Sequence, residues 1–147
     1  VGGDSPGRRR MKFRITSEAL SLTPLMELVT RPDCGAVASF VGTVRNHHLG
    51  RKVTHLEYSA YEAMALEVLQ RIEEEGRDRW PEVSFGCHHR VGLLRVGEIA
   101  VVIAVASPHR AEAFAACAWY LDRLKADCPI WKKETGPDGS EWVSPRP

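Results

Sequence analysis

Hydrophobic residues recur along the chain with two different periods. Residues 61–72 place apolar side chains at helical spacing, which predicts an amphipathic helix that continues to about Trp80. Residues 36–44 and 99–106 are nearly continuous apolar runs with many branched side chains, the pattern of strands that are buried on both faces. Residues 83–89 alternate in a way that is typical of a half-buried strand. Helices and strands are therefore interleaved along the chain.

Shorter elements are marked by the residues at their ends. Thr23 followed by Pro24 predicts an N-cap and a proline in the first turn of a short helix. Ser107-Pro108 begins another helix, which Pro129 ends. The remaining segments are expected strands at 12–16, 53–58, 130–134 and 141–143, a polar loop at 45–52, and turns at Gly92, Gly97 and 136–139. This order predicts an α+β or α/β fold in a single domain.

Length and composition narrow the class of protein. At 147 residues, with 44% hydrophobic and 27% charged residues, the chain has the size and balance of one soluble globular domain. The 20 Lys and Arg residues nearly balance 19 Asp and Glu residues, so an anionic ligand requires a local cluster of positive charge. The longest apolar run is too short to cross a membrane. Residues 1–10 resemble a disordered upstream extension or a cloning remnant rather than a signal peptide, which leaves 11–147 as the expected domain.

The cysteines and histidines do not indicate a metal or redox site. The four cysteines form no C-x-x-C pair, which excludes a zinc knuckle and a dithiol motif and favours reduced thiols in the cytoplasm. His47-His48 and His88-His89 are adjacent pairs, and neighbouring side chains on a strand point to opposite faces. We therefore expect no bound metal.

Groups that bind anions follow two of the buried strands. Ser107-Pro108-His109-Arg110 sets the free N–H groups of a helix start beside an imidazole and a guanidinium, a combination that favours an anion. The alternative for this tetrapeptide is an ordinary capped helix with two solvated side chains. Arg45 directly follows the strand at 36–44, a common location for binding residues.

Lys125 falls on the same helical stripe as Phe114, Ala118 and Leu121. A lysine in an apolar stripe is expected to lose solvation, and desolvation lowers the pKa of an amine until it can act as a base or nucleophile. The alternative is a lysine that snorkels at the end of the helix, where a cation also suits the helix dipole.

The segment at 130–134 holds two further lysines on a predicted strand. Lys132 shares a strand face with Ile130 and Glu134, whereas Lys133 follows Trp131, so one of the two lysines is expected to face inward. The alternative is a solvated edge strand on which lysines prevent further strand pairing.

Short motifs in a fixed order resemble one protein family. They are F-V-G-T-V-R-N-H (40–47), L-E-Y-S-A-Y-E-A-M-A (56–65), H-R-V-G (89–92), S-P-H-R (107–110), D-R-L-K (122–125), P-I-W-K-K-E (129–134) and the closing D-G-S-E-W-V. In order and spacing, from about Met11 to Val143, they resemble the molybdopterin synthase catalytic (large) subunit family.

The resemblance implies a fold, a reaction and partners. The family fold is an α/β hammerhead, and the reaction transfers two sulfur atoms to cyclic pyranopterin monophosphate to form the dithiolene of molybdopterin, in molybdenum cofactor biosynthesis. No metal or other cofactor is required. The sulfur is carried as a thiocarboxylate on the C-terminal Gly-Gly of a small ubiquitin-like subunit. Two large subunits form a central dimer with one small subunit at each end, which makes a heterotetramer.

The resemblance also implies which residues form the site. The active-site lysines fall on Lys125, expected to transfer protons or stabilise an oxyanion, and on Lys132, expected to position the thiocarboxylate. The other implied residues are Arg45, His109 and Arg110 at the phosphate, Thr43 and Val44 along the loop, and Lys133 and Glu134 at the rim. The role of Arg146 stays open. Because His109 and Lys125 are separated by roughly 24 Å along one helix, each site is expected to be shared between two large subunits.

A second function class is a non-enzymatic module that binds nucleotide or RNA. Its binding residues would be Arg45, His47, His48, Arg51 and Lys52. This segment lacks the interleaved aromatic residues that single-strand binding usually requires. A small partner that ends in Gly-Gly would favour the sulfurtransferase, and salt-dependent RNA binding would favour the module.

Overall fold

The most apolar of the expected strands lies at the centre of the fold. The structure is a computed structural model that describes residues 11–143, so the expectations for residues 1–10 and for Arg146 lie outside the described residues. Interleaved strands and helices in this range confirm the α+β class. The strands are β1 (Phe13–Thr16), β2 (Ala36–Thr43), β3 (His47–His48), β4 (Arg51–Lys52), β5 (His55–Ala60), β6 (Ser84–Arg90), β7 (Gly92–Arg95), β8 (Ile99–Ser107), β9 (Ile130–Gly136) and β10 (Gly139–Val143). The helices are α1 (Leu22–Val29), α2 (Glu62–Arg79) and α3 (Arg110–Asp127).

Strand β8 is apolar because it is covered on both edges and both faces. It pairs antiparallel with β2 and with β6, and β1 joins β6 in parallel, which gives the order β1-β6-β8-β2. Helices α2 and α3 supply the core on one face, where Ile103 packs with Phe85 and Tyr120. Helix α1 supplies the core on the other face, where Leu25 packs with Val102. Successive residues of β8 therefore enter two different cores, and a polar residue in its interior would lie unpaired in either one.

A second antiparallel sheet has the order β10-β9-β5-β7. Its central strand β5 pairs with β9 on one side and with β7 on the other. A small third core consists of Val44, Val53, Leu56, Leu94 and Ala100. Because Leu56 belongs to β5 and Ala100 to β8, this core holds the two sheets together.

The helices begin and end close to the expected residues. Helix α1 has Ser21 as its N-cap, so the expectation of Thr23 at that position is wrong by two residues. Pro24 still lies in the first turn, where a missing N–H breaks no helical hydrogen bond. Helix α3 starts at Arg110 and has Cys128 as its C-cap, directly before Pro129, which confirms the expected end. None of the helices in residues 11–143 is both long and apolar enough to cross a membrane.

Two short pieces of sheet are not indicated by the sequence pattern. The expected loop at 45–52 contains the hairpin β3-β4, which turns through Leu49 and Gly50 with φ angles of 50° and 77°. Between the expected turns, β7 forms the edge of the second sheet. The φ angles of Gly92 and Gly97 are 94° and 89°, which confirms both turns. Strands of two to four residues are too short to show a repeating pattern, and β3 and β4 contain only polar side chains.

Candidate active site

A cavity of about 420 Å³ is lined by residues of both sheets and by the last turns of α3. Strands β2 and β8 of the first sheet and β5 and β9 of the second all contribute to its wall. Phe40, Val101, Leu124 and Ile130 supply apolar surface, and charged side chains are placed among them. Apolar walls with a few convergent polar groups are the usual form of a site for a small molecule, and the volume falls in that range.

Three cations line this cavity. Arg45 follows β2, Lys125 lies in the last turn of α3, and Lys132 lies on β9. Burial lowers the pKa of Lys132, the nearby Glu134 carboxylate opposes this effect, and the charges of Arg45 and Lys125 lower the pKa further. Arg45 and Lys125 are therefore both close enough to Lys132 to influence its pKa. Their combined charge suits an anionic ligand.

Lys125 does not lie on the buried stripe of α3, which corrects the expectation from helical spacing. The stripe that it shares with Phe114 faces outward, and Phe114 is 69% exposed. The stripe that packs against the first sheet consists mainly of small side chains. Its members are Ala113, Ala116, Cys117, Tyr120 and Leu124. Lys125 therefore contributes to the cavity while its side chain remains exposed to solvent.

Strand β9 divides its two lysines between opposite faces. Lys132 is half-buried on the face that also carries the buried Ile130 and Glu134, as the alternation predicts. Lys133 lies on the other face, with its ammonium 5.7 Å from the ring centroid of Trp142, and it does not line the cavity. The inward-facing lysine is therefore Lys132.

Glu134 and His48 form a polar contact beside Lys132. Glu134 is 4% exposed, and its Oε1 lies 3.0 Å from His48 Nδ1. His48 reaches the cavity wall from the hairpin β3-β4, whereas its neighbour His47 is exposed and contacts Asn46. The two adjacent histidines thus have separate surroundings. Within residues 11–143, no three His, Cys, Asp or Glu side chains are arranged to hold a metal ion.

Thr43 and Val44 are neighbours in sequence but differ in their access to the cavity. Thr43 lines it at the end of β2. Val44 is 3% exposed, and its side chain belongs to the core between the sheets. Its N–H donates to the Glu98 carbonyl at 3.0 Å, and its own carbonyl accepts from the Gly97 N–H at 2.7 Å. The backbone of Val44 is thus engaged within the protein, away from the cavity.

His109 and Arg110 are not brought to the cavity of their own chain. Both are exposed at the start of α3, where the His109 N–H donates to Ser107 Oγ at 3.2 Å. Helix α3 is continuous from Arg110 to Asp127, and Lys125 lies at its other end. Fifteen residues at about 1.5 Å each separate Arg110 from Lys125 by roughly 22 Å. One chain therefore holds its two groups of predicted anion-binding residues at opposite ends of a helix.

Tyr58 and His89 line the cavity but were not among the predicted site residues. Tyr58 is directly opposite Lys132 in the pairing of β5 with β9, and its ring meets the His89 ring edge to face, with centroids 5.1 Å apart. Burial raises the pKa of Tyr58, and the Glu134 charge adds to that rise. Burial lowers the pKa of His89 to about 4, although a hydrogen bond to the Arg90 carbonyl opposes the shift. Both groups are therefore neutral near pH 7.

The buried His89 makes a testable contribution to acid denaturation. Its pKa is about 4 when folded, below the ordinary 6.5, so the unfolded chain binds more protons between these values and stability falls as the pH drops through that window. The full loss is about 3 kcal/mol. Urea unfolding across this window should show a smaller loss for His89→Gln than for the wild type. Equal losses in the two proteins would contradict a neutral, buried imidazole.

This chain is similar to known proteins whose names all refer to molybdopterin synthesis. Residues 15–127 match the family model described as MoaE protein. A molybdopterin synthase catalytic subunit of Taeniopygia guttata is 46% identical over 131 residues, which cover 88% of this chain and 84% of that protein. The crystal structure of molybdopterin synthase from Staphylococcus aureus has a TM-score of 0.87 at 40% identity and covers 90% of this chain and 96% of that one. A complex of subunits 1 and 2 of molybdopterin-converting factor from Helicobacter pylori shares the fold, with a TM-score of 0.75 at 20% identity over 90% of each chain.

The family match spans most of the described residues, and the sequence and structural similarities extend over nine-tenths of the chain. The matched region includes β2, β5 and the whole of α3, which carry much of the cavity wall. This chain therefore belongs to the MoaE family of molybdopterin synthase catalytic subunits.

Proposed function

We propose that this chain is the catalytic subunit of a molybdopterin synthase, and that its cavity binds cyclic pyranopterin monophosphate during sulfur transfer. The observation that carries the proposal is the group of Arg45, Lys125 and Lys132 on the wall of a cavity with an apolar interior. The cations match a phosphate, and the apolar surface matches a flat heterocycle. Membership of the family supplies the reaction class.

The sulfur is proposed to come from a partner protein. Cys128 lines the cavity, but burial and the nearby Asp127 charge raise the pKa of its thiol to about 12, which leaves almost no thiolate at neutral pH. A sulfur carrier with a C-terminal thiocarboxylate avoids the need for a reactive cysteine. The Helicobacter pylori neighbour, itself a complex of two subunits, supports a partner of this kind.

The transfer then follows ordinary acyl chemistry. The thiocarboxylate sulfur attacks an oxygen-bearing carbon of the precursor, so that a carbon–sulfur bond forms as a carbon–oxygen bond breaks. The departing oxygen takes up a proton, and the sulfur is left joined to both the carrier and the pterin. Water then attacks the acyl carbon and breaks the acyl–sulfur bond, so that the carrier leaves as a carboxylate and the sulfur stays on the pterin. Two carriers are used in succession to complete the dithiolene. Each round needs proton transfer and stabilisation of an oxyanion.

The positions of the lysines favour an exchange of the roles that the sequence suggested for them. Lys132 is half-buried and its pKa is lowered, so it is suited to accept and return protons. Lys125 is exposed at the cavity, where a flexible ammonium can contact the incoming thiocarboxylate and the oxyanion. The charge of Glu134 opposes the lowering of the Lys132 pKa, and its carboxylate holds the His48 side chain through the contact with Nδ1.

The remaining predicted residues have distinct proposed roles. Arg45 and Thr43 contact the phosphate end of the precursor from the end of β2, while Val44 supports them by packing. His109 and Arg110 complete the phosphate site from a second copy of the chain in a dimer. Lys133, on the outer face of β9, contacts the carrier rather than the precursor.

The nucleotide- or RNA-binding alternative receives less support. Arg51 forms an ion pair with Glu141, and His48 is engaged by Glu134, so the hairpin β3-β4 does not present a continuous basic surface. An electrostatic site for a nucleic acid backbone requires such a surface.

Reconstitution tests the proposed function. The purified chain is mixed with cyclic pyranopterin monophosphate and the small carrier, and molybdopterin is measured as its fluorescent oxidation product. Product is expected with the thiocarboxylated carrier, because that group supplies the only transferable sulfur. The matched control is the same carrier with an ordinary C-terminal carboxylate, which should yield none. Absence of product with the thiocarboxylated carrier, together with salt-dependent RNA binding, would overturn the assignment.

A further inference from the structure

His89 is a buried polar residue on the cavity wall that the proposed reaction does not use. It lies near the end of β6, where it pairs with Val101 of β8, and it is 7% exposed. Its ring touches the cavity together with Tyr58 and Val101. The neighbouring His88 points to the opposite face of the strand and bonds the Met11 carbonyl through Nε2 at 2.8 Å.

The contacts of His89 define which ring nitrogen carries the proton. Nδ1 lies 2.8 Å from the carbonyl oxygen of Arg90. A carbonyl can only accept, so Nδ1 must donate its hydrogen there. The low pKa of the residue keeps the imidazole neutral, which leaves Nε2 without a hydrogen and with a free lone pair. His89 therefore carries one hydrogen-bond acceptor that is fixed in direction by the contact on the other side of the ring.

No residue in the range 11–143 donates a hydrogen bond to Nε2 of His89. The ring lines the cavity, and Nε2 is its one polar atom that the Arg90 contact does not engage. An acceptor in such a place is solvated until a ligand displaces the water, and a ligand without a donor would leave it unpaired. The cavity therefore favours a ligand that places a hydrogen-bond donor beside Nε2 of His89 over a ligand that has no donor there.

We propose that His89 is a specificity-determining residue, whose Nε2 accepts a hydrogen bond from an N–H group on the heterocycle of the bound substrate. The inference rests on the proposed function and assigns the two ends of the ligand. Lys132 and His89 flank the same residue, because Tyr58 pairs with Lys132 across the strands and packs against the His89 ring. Lys132 and His89 thus lie on either side of Tyr58 on the wall of one cavity, within reach of one small molecule.

The polarity of the two ends agrees with this orientation. Arg45 is a donor only and suits the phosphate, whereas the neutral Nε2 is an acceptor only and suits the N–H edge of a pterin. His89 is a poor proton carrier near neutral pH because its pKa is far below that range. It acts by recognising the substrate rather than by moving protons.

Binding measurements with two ligands test the proposal. Titration calorimetry compares cyclic pyranopterin monophosphate with inorganic phosphate on the full chain. His89→Leu removes the acceptor and keeps an apolar side chain, and we expect it to weaken binding of the pterin phosphate by about tenfold or more, with phosphate binding unchanged. His89→Gln should recover part of the affinity, because its amide oxygen can reach the position of Nε2. The matched control His88→Leu, on the opposite face of β6, should bind both ligands as the wild type does.

Nuclear magnetic resonance of the wild-type protein gives a reading that does not depend on how the variants fold. The unprotonated Nε2 nitrogen of His89 should shift upfield when the pterin phosphate binds and remain unchanged with phosphate alone. Equal pterin affinity in wild type and His89→Leu, or an Nε2 signal that pterin binding leaves in place, would overturn the role of His89. Those outcomes leave the proposed function intact, since wild-type binding and product formation report on it separately.

Discussion

Replacing Lys132 with alanine is expected to slow sulfur transfer by about 100-fold to 10,000-fold, the usual contribution of a positioned acid–base group. Lys132 is the cavity lysine whose pKa burial lowers, and its strand remains anchored by the buried Ile130 and Glu134 on either side. Lys132→Arg should be nearly as slow, since a guanidinium stays protonated. Lys125→Arg should retain more activity than Lys125→Ala, because the role proposed for Lys125 needs only a cation. Single-turnover rates with the thiocarboxylated carrier measure these effects.

The pH dependence of the rate separates a proton-transfer role from simple charge attraction. If Lys132 acts as a base, the rate rises as the pH passes through its pKa. Arg45 lowers that pKa, so Arg45→Gln should move the rising limb to higher pH. Lys52→Ala serves as the control, because Lys52 is exposed on β4 and outside the cavity wall. If the rising limb of the pH–rate profile does not move in Arg45→Gln, or if Lys132→Ala has a normal rate, Lys132 is not the base.

Much of the architecture could be predicted from local pattern alone. Burial on both faces accounts for the apolar run of β8, and burial of one face accounts for the helical spacing of apolar residues in α2. Both elements could therefore be predicted from the sequence. The face of α3 that packs against the sheet could not be predicted in this way. The helix packs on the sheet through Ala113, Ala116, Cys117, Tyr120 and Leu124, whereas the stripe of Phe114 and Leu121 that ends in Lys125 lies mostly outside. Because both stripes contain apolar side chains, helical spacing alone could not decide which of them meets the sheet.

The candidate site shows the same division between local and tertiary information. Arg45 and Lys132 were predictable, because the end of a strand and the alternation along β9 fix their direction. Tyr58 and His89 meet because β5 and β6, which belong to different sheets, both reach the cavity. No spacing within the sequence encodes that approach. The pattern around His89 predicts a strand. It does not predict that Nε2 alone accepts a hydrogen bond, because that depends on the contact of Nδ1 with the Arg90 carbonyl.

The separation of α3's two ends has a further consequence for the assembly. His109 and Arg110 are at its start, and Lys125 is at its last turn beside the cavity. If all of them act on one precursor, the start of the helix with His109 and Arg110 must come from another copy of the chain. A two-fold dimer provides this arrangement twice, with each cavity facing the helix start of the partner. Activity in mixed dimers should therefore depend on how two inactivating substitutions are distributed between the chains.

Two mixed dimers with the same substitutions in different arrangements are expected to give opposite results. In a dimer of one His109→Ala chain and one Lys125→Ala chain, the cavity with an intact Lys125 faces the chain with an intact His109, so about half of the wild-type activity should return. In a dimer of a wild-type chain and a chain that carries both substitutions, each shared site lacks one group, so activity should be nearly lost. Sites contained within single chains would reverse both results, because only the wild-type chain would then hold a complete site. Differently tagged chains, purified for both tags and assayed with the thiocarboxylated carrier, distinguish the two arrangements, and the reversed pattern would rule out the shared site.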